Sequence, residues 1–401
     1  MREVSTSPPS KQRLKNASHM LAEVGIAQRT RPELWTRAQI EALELHPGAP
    51  RRLGSSKKGQ SPAYIWSTEE VQTAVNLYRK MGGRYRLPSD ATHIQFQLVS
   101  RLPSGNILGD SKKTAKSLKK GVLTKIIYLS PAWESGVRMC PRFGICGKFC
   151  IGHSSGRQGM EDKRRARLTK TALWYLFPGY FLRKLYAEGF NLASEAEGKG
   201  LRCAIRLNGS SDVKWEQFAV PGYGKSLMEL LPGVTYYDYS KLPLEKRGRN
   251  GVLPVNYSLT FSVDEQPESW ACALRYLSKG HNAALVVGAS WRNKLGKHSS
   301  VEAQKAVDAL LRRGYITATA PSGDTKRIGV LSGDEHDARF LDLEGFPQGV
   351  HGHFIILVAK GSAAHDSEGF VFRFDREGRL VRGAGVVGIG QANLYFPGLC
   401  A

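Results

Sequence analysis

Short apolar runs alternate with helical periodicities along the chain from residue 122 onward. Seven runs have the nearly continuous apolar character of buried strands, and they cover residues 123–129, 203–207, 234–239, 257–263, 283–287, 328–331 and 354–358. Helices are predicted at residues 161–188, with a kink near Pro178, and at 227–231, 270–278 and 300–313. This alternation predicts an α/β fold built as a full or partial (β/α) barrel, and a doubly wound open sheet is the alternative.

The first 121 residues are more polar in composition than the rest of the chain. Residues 1–30 contain Pro8, Pro9 and scattered basic residues, and we expect a flexible basic arm there. In residues 31–105, two short helical signals flank a basic, turn-rich stretch, and this pattern resembles the winged helix-turn-helix modules of excisionase-like DNA binders. We therefore expect a small basic helical module, and a helical cap on the larger domain is the alternative.

A basic connector at residues 106–121 joins this module to residues 122–401, which we expect to form the catalytic domain. The connector is either a solvated linker or an edge that faces phosphates. The candidate nucleic-acid contacts in the module and the connector are Arg51, Arg52, Lys57, Lys58, Lys112 and Lys113.

The chain is strongly basic, with a net charge of +23, and its first 121 residues carry 21 Lys and Arg against 9 Asp and Glu. Such a field attracts polyanions, and we expect nucleic acid as the partner, with DNA before RNA. No apolar run reaches the roughly 18 residues of a membrane span, so no membrane partner is expected. No apolar stretch follows the N-terminal charges, which favours the cytoplasm, or the host cytoplasm if the protein is viral.

Three cysteines and a histidine stand close together in the segment CPRFGICGKFCIGH, which follows the first predicted strand. They are Cys140, Cys146, Cys150 and His153. Thiols at such spacing bind zinc or an iron–sulfur cluster, or form disulfides, and a reducing cytoplasm favours the metal. Cys203 and Cys272 stand alone in the sequence and are expected to be buried structural thiols.

Polar residues collect after the predicted strands, where parallel barrels carry their reacting groups. Five charged or titratable residues fall within six positions after the sixth strand, which is unusual for a plain turn. The residues for which we expect catalytic roles are Asp238, Asp334, His336, Asp337 and Arg339.

The placement of the three clustered cysteines resembles the radical S-adenosylmethionine enzymes, in which three cysteines on the loop after the first strand hold a [4Fe–4S] cluster. The resemblance implies that these cysteines ligate the cluster and that S-adenosylmethionine binds its open iron. It also makes Asn208, Ser210 and Asp212, which follow the second strand, candidates for cofactor binding. The spacing is C-x5-C-x3-C, where that family usually has C-x3-C-x2-C, and a Cys3His zinc site with His153 stays open.

Several longer segments resemble a family of tailed-phage proteins of unassigned function, over about residues 105–372. The segments are the cysteine run, ARLTKT, RLNGSSDVKWE, YYDYSK, GDEHDARFLD and AKGSAAHDSEGF. This resemblance implies a viral origin and one intact domain, and it supplies no reaction.

Three functions follow as expectations. The first is a radical S-adenosylmethionine-like iron–sulfur enzyme that acts on nucleic acid, for example to modify bases of phage DNA. The second is a zinc-stabilised DNA-binding protein in phage replication or regulation. The third is a non-radical base-exchange enzyme of the transglycosylase type that uses Asp334 or Asp238 as nucleophile or general base, with a structural zinc.

Overall fold

The computed structural model of the 401-residue chain describes most of its carboxyl-terminal three quarters. The described residues are 102, 105–131, 135, 139–150, 159–176, 178–248, 251–288, 300–319, 325–344, 352–360, 363–364, 366, 368–374 and 380–382. The basic arm and nearly all of the module predicted for residues 31–105, with Arg51, Arg52, Lys57 and Lys58, lie outside these ranges, and so does His153. In the described ranges, no helix has the length and apolar character needed to cross a membrane.

Strands and helices alternate along the described chain. The strands are β1 Val122–Ile126, β2 Arg202–Arg206, β3 Thr235–Ser240, β4 Tyr257–Ser262, β5 Ala283–Val287, β6 Tyr315–Thr319, β7 Thr325–Ser332, β8 Phe354–Val358, β9 Phe372–Phe374 and β10 Leu380–Arg382. The helices are α1 Lys112–Leu118, α2 Glu161–Leu176, α3 Pro178–Gly198, α4 Leu227–Leu230, α5 Ser269–Ser278 and α6 Ser300–Arg313. The seven predicted strands correspond to β1–β5, β7 and β8, and the kink predicted near Pro178 is the boundary between α2 and α3.

The chain divides into two compact units, and β3 contributes to both. The first unit takes the described residues up to 111 and those within 121–140 and 157–236. In it, β1 pairs in parallel with β2 over their full lengths, and β2 pairs in parallel with the start of β3. An aromatic cluster of Trp174, Phe181, Trp215 and Phe218 fills the core beside them, with ring centroids 4.8–5.9 Å apart.

The second unit takes the described residues within 112–120, 141–156 and from 237 onward. Its strand order is β3-β4-β5-β8-β7-β6. All five residues of β5 pair in parallel with β8, β7 is parallel to β8, and β6 folds back antiparallel on β7. Every residue of β5 except Val286 is buried, as a strand covered on both faces requires.

The fold is therefore mixed α/β with a mostly parallel sheet whose described strands do not close, so of the predicted full or partial barrel the full form was wrong. Among the described strands, β1 pairs with β2 alone and β6 with β7 alone, so both are edges of an open sheet. The hairpin of β6 and β7 explains the difference. After this hairpin the chain returns, and β8 inserts between β5 and β7. The antiparallel β6 lies at the edge and ends the series of parallel strands.

A buried ion pair fixes the entry of the chain into the first unit. The Lys184 ammonium lies 3.0 Å from a carboxylate oxygen of Glu188, with 1% and 8% of the side chains exposed. The same carboxylate accepts hydrogen bonds from the backbone N–H groups of Ile107 (2.9 Å) and Leu108 (2.7 Å). Glu188 thereby ties α3 to the segment whose Gly109 pairs with Ile126 of β1.

We predict that Glu188→Ala lowers the free energy of unfolding by about 3–5 kcal/mol, because it leaves a buried ammonium and two backbone N–H groups unpaired. Denaturant unfolding measures the change. Glu195→Ala is the matched control, because Glu195 forms an exposed pair with Lys199 near the end of the same helix (2.5 Å), and its loss should cost less than about 1 kcal/mol. Equal losses in the two variants would contradict the role given to Glu188.

Lys170 of α2 is buried near Glu188, and burial lowers its pKa to about 8, against the opposing effect of Glu188. Between pH 8 and the usual pKa of 10.5, the unfolded chain keeps a proton that the folded protein has released, so this group makes stability rise with pH.

We predict that Lys170→Met stabilises the protein most below pH 8, and that its advantage over the natural protein shrinks by roughly 3 kcal/mol by pH 10.5. The measurement is denaturant unfolding of both proteins across this pH range. Lys225→Met, at an exposed position whose charge is not among the causes of the Lys170 shift, should follow the natural protein at every pH. If the free energies of unfolding of Lys170→Met and the natural protein differ by the same amount at every pH, burial does not lower the pKa of Lys170.

Candidate functional site

In the first unit, Asn208 organises the turn that follows β2. Its side-chain oxygen accepts hydrogen bonds from Ser211 Oγ (2.9 Å), the Val213 N–H (2.9 Å) and Trp215 Nε1 (3.0 Å). Its amide nitrogen donates to the Val213 carbonyl (3.0 Å). Asn208 is buried, and both the oxygen and the nitrogen of its amide hold the turn together. It would have to release these hydrogen bonds to bind a cofactor.

Ser210 and Cys140 lie together at the carboxyl ends of β1 and β2. Ser210 Oγ donates to the carbonyl of Leu129, just beyond β1 (2.5 Å), and the Ser210 carbonyl accepts from Cys140 Sγ (3.9 Å). The N–H of the buried Asp212 donates to the Met139 carbonyl (2.9 Å). The loop after β2 therefore holds the Cys140 backbone and thiol beside the end of the first strand.

In the second unit, residues 141–150 form what we call the cysteine segment. Four successive i to i+3 backbone hydrogen bonds of 2.9–3.3 Å run from Gly144 to Cys150. This is the tight 3₁₀ geometry, and its regular part covers Ile145–Gly147. Cys146 and Cys150 are thus carried on one compact coil whose backbone is internally hydrogen-bonded.

Glu265, which follows β4, holds this coil in place. One oxygen of its carboxylate accepts a hydrogen bond from the Ile145 N–H (2.8 Å). Gly144 allows this approach, because a Cβ there would collide with the same carboxylate. The other oxygen, Oε2, is buried and has no hydrogen-bond partner among the described residues. Glu265 is therefore both an anchor of the cysteine segment and an open acceptor at the end of β4.

Ion pairs hold the cysteine segment at both of its ends. Arg142 pairs with Glu268 (2.9 Å) and lies 3.7 Å from Asp264, both of which follow β4. Lys148 pairs with Glu368 (2.8 Å), which precedes β9. The segment is therefore attached to two different strand-end loops of the second unit.

An aromatic pair lies beside Cys150. The rings of Phe149 and Phe370 are nearly parallel, with centroids 6.2 Å apart, and Lys241 Nζ is 5.2 Å from the Phe370 centroid. Both rings are partly exposed and pack on a buried cluster that includes Ala359, the residue after β8. Lys241 also hydrogen-bonds to Ser262 of β4 (3.2 Å). Aromatic and cationic groups thus meet at the carboxyl ends of β3, β4 and β8.

The described cysteines fall into two classes. Cys140, Cys146 and Cys150 are partly exposed, whereas Cys203 and Cys272 are buried, as the sequence predicted, and none of the five forms a disulfide. Burial raises the pKa of Cys203 to about 12 and also raises the pKa of Cys272, so both stay protonated. Within the described ranges, no group of three or more His, Cys, Asp or Glu side chains is arranged to hold a metal ion.

Asp238 is part of a buried relay rather than an open site. The Tyr257 hydroxyl donates to Asp238 Oδ2 (2.8 Å) and accepts a hydrogen bond from Arg247 Nη2 (2.9 Å). All three side chains are buried. The Tyr257 hydroxyl thus connects the buried Asp238 carboxylate to the buried Arg247 guanidinium. These contacts give Asp238 a structural position in the core.

Asp337 also has an interior partner, since the Tyr237 hydroxyl donates to its carboxylate (3.3 Å). Tyr237 in turn packs edge-on against Phe340, with centroids 5.5 Å apart. Asp337 is itself buried. This pair links β3 to the loop after β7 within the second unit.

His336 and Arg339 belong to one hydrogen-bonded cluster with Asp342. A guanidinium only donates, so His336 Nδ1 must accept from Arg339 Nη2 (3.0 Å), and the imidazole proton then sits on Nε2, 3.3 Å from Asp342 Oδ1. Arg339 also donates to the carbonyls of His336 and Ser332 and lies 3.3 Å from Asp342 Oδ2. Both nitrogens of His336 are therefore engaged, and the cluster stiffens the loop.

Asp334 is the predicted catalytic residue that faces solvent, with 37% of its side chain exposed. Its carboxylate lies 2.6 Å from the Lys360 ammonium, and its carbonyl accepts a hydrogen bond from Lys116 of α1. Lys112 and Lys113 begin the same helix, so the basic connector lies at the carboxyl ends of β7 and β8. Glu265 and Lys360 are among the polar residues that follow predicted strands, although no role was assigned to them from the sequence, and Phe370 was missed.

We predict that Gly144→Ala displaces the cysteine segment, because a methyl group there collides with Glu265. Alkylation of Cys146 and Cys150 by iodoacetamide, followed by mass spectrometry, should become several-fold faster. Cys140 gives an internal reference. Gly198→Ala is the matched control, since a Cβ at Gly198 meets no atom within 4 Å. Unchanged rates in Gly144→Ala would show that Glu265 does not hold the segment.

Comparison with known proteins gives one family. A family model described as Gene product 88 matches residues 106–373, which is more than half of the chain and contains every described site residue discussed above. The match confirms the resemblance to a phage protein family. No curated protein matches the chain, and no solved structure matches it.

Proposed function

The chain belongs to the Gene product 88 family, and because the description of that family names no reaction, we propose a function from the residues themselves: a radical S-adenosylmethionine-like iron–sulfur enzyme that acts on nucleic acid. The observation that carries the proposal is the position of the clustered thiols. In each unit they lie at carboxyl ends of parallel strands, Cys140 beside β1 and β2, and the cysteine segment beside β4. Parallel α/β enzymes place their reacting groups at these ends.

The ligands in this proposal are chosen from the sequence and from thiol chemistry, since the described residues contain no preformed metal site. Cys140, Cys146 and Cys150 fall within eleven residues of the sequence, form no disulfide and are partly exposed, which suits thiolate ligation. We assign them as the three ligands. A bound cluster with only three protein ligands supplies an open iron for S-adenosylmethionine and the electron that cleaves this cofactor to a carbon radical.

Other residues of the chain would position the site and keep water out. Glu265, Arg142 and Lys148 hold the cysteine segment, and the rings of Phe149 and Phe370 cover one side of it. Asp334 and Lys360 form an exposed ion pair at the ends of β7 and β8. This pair can bind a polar substrate group or exchange a proton with it at Asp334 Oδ1.

Two observations support nucleic acid as the substrate. The net charge of +23 favours a polyanion, and membership of a phage-type family makes phage DNA a natural target for base modification. In this proposal, the basic N-terminal residues recruit the nucleic acid and the strand-end residues act on it.

The non-radical base-exchange enzyme is the second candidate, and the exposure of Asp334 favours it. Of the two carboxylates considered for that reaction, Asp334 is open to solvent, whereas Asp238 is buried and accepts a hydrogen bond from Tyr257. Asp334 would then act as the nucleophile or general base, and the cysteines would hold a structural zinc.

We predict that protein purified without oxygen is brown, has broad visible absorption and contains about four irons per chain, as a [4Fe–4S] cluster requires. Cys146→Ser should lose most of the iron and the colour, because one of three ligands is gone. Cys203→Ser is the matched control and should keep both, since Cys203 is a buried strand residue. Reduced, loaded protein should cleave S-adenosylmethionine.

A colourless natural protein with one zinc per chain would overturn the iron–sulfur proposal. Activity on nucleic acid that persists in iron-free protein and disappears in Asp334→Ala would establish the base-exchange candidate in its place.

A further inference from the structure

We propose that the carboxyl edge of the second unit is a binding track for single-stranded nucleic acid, in which Lys360 and the lysines at and just after the end of α1 bind phosphates and Phe370 stacks on a base. The inference deepens the proposed function and rests on its choice of nucleic acid as substrate. Four observations in the second unit carry it.

The first observation is the exposed basic charge at the end of α1 and just after it. Lys116 of α1 is exposed, and so are Lys119 and Lys120, which follow the helix, whereas Thr114 and Ser117 are buried. No Asp or Glu occurs within residues 111–121. Three exposed lysines therefore fall within five residues without an acidic neighbour in the segment, which is the charge pattern that phosphates select.

The second observation is the meeting of two ammonium groups at Asp334. Lys360 lies 2.6 Å from its carboxylate, and Lys116 donates to its carbonyl. Asp334 thus holds two exposed lysines through different atoms, and its carboxylate is the anionic partner of Lys360 in the free protein. A phosphodiester oxygen carries the same charge and can take the position of the carboxylate when nucleic acid binds.

The third observation is that aromatic rings continue the track from Lys360. Ala359, its neighbour in the chain, belongs to the buried cluster on which Phe370 and Phe149 pack, and both rings are partly exposed. Lys241 lies 5.2 Å from the Phe370 centroid. Proteins that bind single strands commonly place basic side chains next to accessible aromatic rings, because unpaired bases can stack on those rings.

The fourth observation is where the track ends. Phe149 precedes Cys150, and its ring is 6.2 Å from that of Phe370. A strand that follows the lysines to Phe370 therefore brings a base to the cysteine segment. Chemistry on a base requires it to be out of the duplex stack, which is the second reason for choosing a single strand as the occupant.

The test measures binding by the full-length protein, without iron loading, to a fluorescent thymidine oligonucleotide of about 12 nucleotides, within the usual single-strand site size. Affinity is determined over a range of salt concentrations. The track variant is Lys116→Gln with Lys119→Gln and Lys120→Gln. The control variant is Lys163→Gln with Lys199→Gln and Lys246→Gln, three exposed lysines elsewhere.

For the track variant, the slope of log affinity against log salt should become shallower by about 2, since each lost phosphate contact to a single strand contributes about 0.7. The control variant should keep the natural slope. Equal slopes for the track variant and the natural protein would overturn the phosphate-binding role of these three lysines.

The stacking role is tested with Phe370→Leu and two probes of equal length, the thymidine oligonucleotide and its abasic counterpart. Affinity for the thymidine oligonucleotide should fall about 5- to 150-fold, the range expected for one lost base–aromatic contact, and affinity for the abasic one should not change. Near-ultraviolet circular dichroism verifies that the variant is folded.

Equal losses for both probes, or natural protein that binds duplex as tightly as single strands, would overturn the single-strand assignment. If natural protein purified without oxygen contains no iron, while the track variant shows the shallower slope, the iron–sulfur proposal fails and the track stands. If the natural protein is brown and active but the track variant keeps the natural slope, the track fails and the iron–sulfur proposal stands.

Discussion

Parallel strand pairing is the constraint from which the rest of this structure follows. A parallel neighbour cannot be reached by a tight turn, so the chain must cross back over the sheet after each strand. In the second unit the five-residue register of β5 and β8 is the fullest parallel pairing, and β4 and β7 flank these strands. The loops that follow these strands are thereby gathered at one edge, and the anchors of the cysteine segment, Asp334 and Lys360 all lie there.

The polar residues at this edge fall into two groups, which differ in their hydrogen-bond partners. Asp238, Asp337 and the His336 cluster direct their polar atoms at buried partners and hold loops together. Asp334 and Glu265 each retain an oxygen or an exposed face that such packing does not use. Most of the charge that the sequence places after the sixth predicted strand therefore stabilises the loop itself, and Asp334 is the predicted catalytic residue there that stays exposed.

Sequence reasoning found the elements whose signal is local. The bounds of β5 and β8 agree with the predicted ones, and the break between α2 and α3 follows from the backbone chemistry of Pro178. It missed α1, whose lysine-rich sequence has no apolar stripe, because that helix is packed by Thr114 and Ser117. It also missed β6, and with it the hairpin that keeps the sheet open, since edge pairing depends on tertiary context rather than on apolar pattern. The tautomer of His336 and the open oxygen of Glu265 depend on partners distant in sequence, so spacing alone could not reveal them.

The contact between Gly144 and Glu265 changes how the cysteine spacing should be read. Of the five residues between Cys140 and Cys146, Arg142 is held by an ion pair, Gly144 by close approach and Ile145 by its N–H. The length of this stretch is therefore set by what it must reach on the loop after β4. In a relative, a deletion between the first two cysteines would be tolerated only together with a change in the loop after β4. The lengths of these two stretches should therefore vary together.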